Sequence, residues 1–160
     1  MKLMTKKINL KITIEEAAER HPVPVLGTDY KVKIIYKNIK VAELDVEDKI
    51  IKISLPNKYK KANNERILDI AIDKMYEQIA KVEVERAMEK TRILLGFAPE
   101  DYEIRKMSEE LGRCEENKIT INPEIVKYDR EIIDYIVLHE YCHLKYKSHC
   151  KSFIKMLEKY

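Results

Sequence analysis

The chain has 160 residues, 45% hydrophobic and 37% charged, with only three glycines and five prolines. That composition fits one globular domain with a charged surface and excludes disordered, collagen-like and low-complexity chains. The 31 basic and 28 acidic side chains leave a net charge of +3, so the chain is not polybasic overall, and it carries neither a GxGxxG nor a GxxxxGKS/T phosphate loop.

In chain order, residues 8–14 (Ile8-Asn9-Leu10-Lys11-Ile12-Thr13-Ile14) alternate apolar and polar, the period of a half-buried strand. Pro22 and Pro24 keep the next stretch out of any helix interior. Residues 30–36, 41–44 and 50–55 read as three further strands, and together these predict a small antiparallel meander in a β-rich lobe of about residues 1–60. This part also holds the basic excess, in Lys2, Lys6, Lys7 and Lys11 and in the run Lys58-Tyr59-Lys60-Lys61. Solvated strand edges and loops account for that pattern; a weak nucleotide or nucleic-acid contact is the sharper alternative.

A helical and active-site lobe, about residues 61–160, follows within the same single domain. Asn63 or Asn64 can cap a long helix, with Glu65 in its first turn. Its apolar stripe is Ile67, Leu68, Ala71, Ile72, Met75, Ile79 and Val82, and Gly96 stops it after Leu95. Residues 102–107 and 118–122 read as strands around a turn containing Gly112 and Glu116-Asn117. Pro123 opens a helical turn, a helix starts near Asp129 and runs through His143, and residues 152–160 form a last amphipathic segment. The architecture expected is α+β: an N-terminal antiparallel sheet, a long central helix, a strand pair and an active-site helix. No apolar stretch is long enough to span a bilayer, no signal peptide is evident, and Cys114, Cys142 and Cys150 show no CxxC spacing; a reduced, cytoplasmic setting is expected.

Three of the four histidines fall within eleven residues, and two frame His139-Glu140-Tyr141-Cys142-His143, an HExxH pattern. Chance gives that pattern in about one chain in a hundred of this composition. On a helix, His139 and His143 share a face about 6 Å apart along the axis and can both reach one Zn²⁺. Glu140 lies about 100° round, beside the ion and free to take a proton from water. His149 has the spacing of the third metzincin ligand, but Tyr146 stands where those proteins need glycine, so it is expected to enter from a different loop at the start of the last helix. A structural zinc site drawing on Cys114, Cys142 or Cys150 is disfavoured, because neighbouring helical residues point apart; Cys142 reads as a small buried residue.

The stretch Asp134-Tyr135-Ile136-Val137-Leu138-His139-Glu140-Tyr141-Cys142-His143-Leu144 with Ser148-His149-Cys150-Lys151-Ser152-Phe153 resembles the hallmark of the YgjP-like metallopeptidase domain family, zincin-like proteins related to the SprT-like and WLM groups. Residues 119–125 and 26–34 are similar to two further family segments, so the resemblance spans most of residues 25–160. It implies a zincin-like fold, one Zn²⁺ per chain held by His139, His143 and His149, Glu140 as catalytic acid/base, and a peptide or protein substrate. The chain departs from the family at Leu111-Gly112-Arg113-Cys114, where a Trp-containing segment is usual, and at Tyr141, where Leu is usual. Zinc-dependent peptide hydrolysis is therefore expected. Hydrolysis of a non-peptide substrate such as a nucleotide phosphoanhydride, or a non-catalytic zinc module, are the alternatives. Tyr146 or another of the ten tyrosines would be the oxyanion donor.

Overall fold

A computed structural model of the chain describes residues 22–60 and 64–160. The strand expected at residues 8–14, Lys2, Lys6, Lys7 and Lys11, and the capping candidate Asn63 lie outside the described residues. The fold is mixed α+β, with an N-terminal sheet followed by a long helix. Two compact units, Met1–Met75 and Tyr76–Tyr160, divide inside that helix.

In the first unit, β1 (Val23–Val25), β2 (Thr28–Lys37), β3 (Glu43–Glu47) and β4 (Ile50–Pro56) form one sheet in the order β1-β2-β4-β3. Two-residue turns close both hairpins, and Leu26, Gly27, Asp48 and Lys49 all take the positive φ that primed turns require. The expected antiparallel meander is corrected at one junction. β4 returns between β2 and β3, so β2 and β4 pair in parallel from Lys31↔Ile50 to Lys37↔Pro56. The reason is visible in burial: Val32 to Ile35 of β2 and Ile51 to Pro56 of β4 are buried without alternation, as central parallel strands are, whereas β3 is a half-exposed edge. The buried Lys52 ammonium is matched by Glu47 at 3.3 Å. Of the basic run, Lys58 lies over the Tyr59 ring at 5.2 Å in the short 3-10 turn after β4.

Helix α1 (Asn64–Leu95) stops where the sequence says, at Gly96, whose φ is 79° and whose N–H bonds the Arg92 carbonyl at 2.8 Å. Its buried face departs from the expected stripe. Leu68 and Met75 are buried, but Val82 is 65% exposed, and the buried row runs instead through Tyr76, Ala80, Val84, Ala87 and Met88. At about 100° per residue Val82 is only about 20° round from Met75, so the buried face itself turns: past Met75 the helix belongs to the second unit, where Tyr141 meets the Met88 carbonyl and Arg130 meets Glu83.

In the second unit, β5 (Asp101–Ile104), β6 (Gly112–Glu115) and β7 (Lys118–Ile121) form a sheet in the order β5-β7-β6. The expected strand pair is thus a triplet, and Gly112 lies in a strand; only Glu116-Asn117 makes the turn, both at positive φ. A glycine start and no apolar alternation hide β6 in the sequence. After a 3-10 turn at Pro123–Lys127 come α2 (Arg130–Lys145) and α3 (Lys151–Lys159). Asp129 caps α2, accepting the Ile132 N–H at 3.0 Å. Within this unit α2 is locked to the later part of α1. Glu83 accepts from Arg86 Nε and Arg130 Nε, both at 3.0 Å, and Asp134 pairs with Arg86 at 2.9 Å and Lys90 at 2.8 Å. The buried Tyr141 hydroxyl donates to the Met88 carbonyl at 3.0 Å. Among the described residues no helix is long and apolar enough to cross a membrane.

Candidate metal centre

His139 and His143 lie one turn apart on α2, with ring centroids 4.8 Å apart. The chain then leaves the helix at Tyr146 with φ −129° and ψ 109°. That extended exit needs no left-handed residue, which explains how tyrosine replaces the glycine of the metzincin spacing. His149 comes next to Cys150, the N-cap residue of α3, and its ring lies 4.9 Å from His143 and 5.2 Å from His139. The potential ligand atoms of the three imidazoles lie within 4.8 Å of one another.

Hydrogen bonds orient these rings. His143 Nδ1 is 3.1 Å from the Tyr146 carbonyl oxygen, which can only accept, so Nδ1 carries the proton and Nε2 presents its lone pair to the centre. His139 Nδ1 faces the Glu140 carboxylate at 3.4 Å, which leaves its Nε2 inward by the same logic. Phe153 of α3, 1% exposed, stacks beneath all three imidazoles at centroid distances of 5.2, 4.6 and 4.7 Å to His139, His143 and His149. The sequence reading places Phe153 in the last amphipathic segment and at the end of the hallmark stretch that begins at Ser148, without a role of its own. Its role as the floor of the histidine cluster could be sought only in its spacing four residues past His149. The Tyr146 side chain packs on the Leu138–Cys142–Phe153 cluster.

Glu140 points away from solvent, 7% exposed, against strand β6. The loop entering β6 is stapled by Asn122, a buried residue that the sequence reading places at the end of a strand and in a family-like segment without assigning it a role. Its Nδ2 donates to the Met107 and Glu110 carbonyls at 2.9 Å each, its Oδ1 accepts the Glu124 N–H at 3.1 Å, and its own N–H meets the Leu111 carbonyl at 2.9 Å. The cysteines stand apart from the cluster. Cys142 is fully buried, and burial raises its thiol pKa. The half-buried Cys114 is pushed up to about 11, first by burial and then by the charges of Glu140 and Glu115. Cys150 is exposed, and the Phe153 N–H foremost lowers its thiol pKa.

The donor set suits zinc. Three imidazoles, two of them with Nδ1 engaged by the Glu140 carboxylate and the Tyr146 carbonyl, would offer three nitrogen ligands and leave a fourth position open. The 3.1 Å between His143 Nε2 and His149 Nε2 is close to the ~3.3 Å edge that two ligands at 2.0–2.1 Å make in a tetrahedron. Among the described residues, no other group of three His, Cys, Asp or Glu side chains is placed to share an ion.

No curated protein matches the chain. Two solved structures are similar to parts of it. The metallopeptidase zymogen of Pyrococcus abyssi abylysin is 30% identical over 48% of this chain and 77% of that one, with a TM-score of 0.44. The metallopeptidase zymogen of Methanocaldococcus jannaschii jannalysin is 25% identical over 49% and 75%, with a TM-score of 0.45. The model of the YgjP-like metallopeptidase domain matches residues 2–160, almost the whole chain, and the protein belongs to that family.

Proposed function

We propose that the chain is a zinc-dependent peptidase in which His139, His143 and His149 hold one Zn²⁺ and Glu140 is the general base. The observation that carries this reading is the convergence of three imidazole donors with a buried carboxylate one residue from the first of them. Membership of a metallopeptidase family makes a peptide bond the bond to cleave. Zinc, when bound, supplies a Lewis acid for the scissile carbonyl and lowers the pKa of water to about 7. Glu140 takes one proton from the attacking water and returns it to the nitrogen of the departing amine, so the carboxylate ends as it began. Carbonyl bonding of His143 Nδ1 and the Phe153 floor keep the imidazoles facing the centre while this happens. Cys142 and the half-buried Cys114 take no part in holding the ion.

Cleavage of fluorophore-labelled casein by the zinc-loaded protein and by Glu140→Gln tests the reading. The variant keeps its shape and its metal and loses about 10²–10⁴-fold in kcat. Full activity in a zinc-loaded Glu140→Gln protein overturns the mechanism, and turnover of nucleotides without casein cleavage overturns the substrate.

A further inference from the structure

Gly112 has no backbone reason to be glycine. Positive φ among the described glycines occurs at Gly27 and Gly96, and Gly112 lies within β6, paired opposite Ile121. What sets it apart is its neighbour. A Cβ added there would lie 3.0 Å from both Cγ and Oε2 of Glu140 and 3.3 Å from its Cδ. These separations are tighter than ordinary van der Waals contact, so either the strand or the carboxylate would have to give.

The strand is poorly placed to give. Its entry is held by the Asn122 side chain at the Met107 and Glu110 carbonyls and by the Asn122 N–H at Leu111. Helix α2 is equally fixed, by Arg130 and Asp134 on α1 partners and by Tyr141 on the Met88 carbonyl. The part held least is the Glu140 side chain itself, whose carboxylate meets His139 Nδ1 at a long 3.4 Å. We infer that Gly112 is a positioning residue: the space left by its missing side chain is the seat of the Glu140 carboxylate. This rests on Glu140 being the general base.

Gly112→Ala is compatible with an extended strand and restricts the unfolded chain, so it leaves the fold intact. The carboxylate has to give by a few tenths of an ångström, less than the ångström-level misplacement that costs about a hundredfold, so kcat falls severalfold, up to about tenfold, with KM and zinc content unchanged. A structural role for Gly112 would lower Tm and leave the kcat of the folded fraction alone.

The test is a double-mutant cycle of Gly112→Ala with Glu140→Gln on labelled casein, with Tm and a crystal structure of the metal-free Gly112→Ala protein. Support is a shifted Glu140 carboxylate, a kcat loss in the wild-type background and no further loss in the Glu140→Gln background. Wild-type kcat together with an unmoved carboxylate in Gly112→Ala overturns the inference. A fully active Glu140→Gln protein instead overturns the parent mechanism, so the two failures separate. If Gly112→Ala is unstable, Gly112→Ala/Glu140→Ala decides: recovered Tm supports the steric seat, and unrecovered Tm overturns it.

Discussion

His143 is committed at both ring nitrogens. Nδ1 spends its proton on the Tyr146 carbonyl, and Nε2 is left facing His149 at 3.1 Å. His149 differs from its two partners in being exposed, so its side chain contributes to the cluster without carrying core packing. Removing it should therefore be a clean experiment. His149→Ala is expected to keep the fold and to weaken zinc binding at least about a hundredfold, more than loss of an outer hydrogen-bond partner costs. Competition with a chromogenic chelator measures this. Unchanged affinity would mean that a different side chain completes the site. The same scale shows why the site histidines were readable in the sequence while their supports were not. HExxH is a local spacing on one helix face, but the Phe153 floor and the Asn122 staple depend on contacts that no periodicity encodes.

Two helices make the site possible, and charged side chains fix their relation within the second unit. Glu83 is nearly buried between two arginines. Burial raises its carboxyl pKa, but the hydrogen bonds and charges of Arg130 and Arg86 outweigh that and hold it below the ordinary value; Lys90 and Arg86 do the same for Asp134. Carboxyls depressed in the folded state contribute stability that is fully present above their unfolded pKa values, near 4, and lost as pH falls through the lower folded ones. Acid titration should thus begin to weaken the protein below about pH 4. Arg86→Ala, which leaves both carboxylates short of a partner, should cost about 1–3 kcal/mol at neutral pH and flatten that acid dependence. Urea melts at pH 7 and pH 3 check both statements. An Arg86→Ala protein as stable as wild type at pH 7 would show the network to be surface decoration. Its partners sit 47 residues apart for Glu83 and Arg130, beyond the reach of any helix-face pattern.

At the scale of the whole molecule, the three histidines come from α2 and from the segment that starts α3, so an ion held between them ties the two together. A ligand bound only by the folded state stabilises it by mass action, about 2.7 kcal/mol at a hundred times Kd. Adding zinc to metal-free protein should raise Tm, and Glu140→Gln should show the same rise because its carboxylate is not needed to hold the ion. His149→Ala should lose most of the rise. Calorimetry with and without zinc at fixed protein concentration reads all three, and a rise unaffected by His149→Ala would place the ion elsewhere.

Local signals carried much of this protein. Gly96 ends α1, Asp129 begins α2, Pro123 opens its turn, and the His139–His143 spacing selects one helix face, because each depends on residues within a turn of one another. Tertiary structure decided the rest. Whether β4 lies beside β2 or only beside β3 depends on which strands are buried on both faces, and the short, polar β6 is a strand because β7 pairs with it. Gly112 shows the limit most clearly. In the sequence it is a turn glycine; in the fold an added carbon there would lie 3.0 Å from Glu140, because packing places two residues 28 apart in sequence against each other.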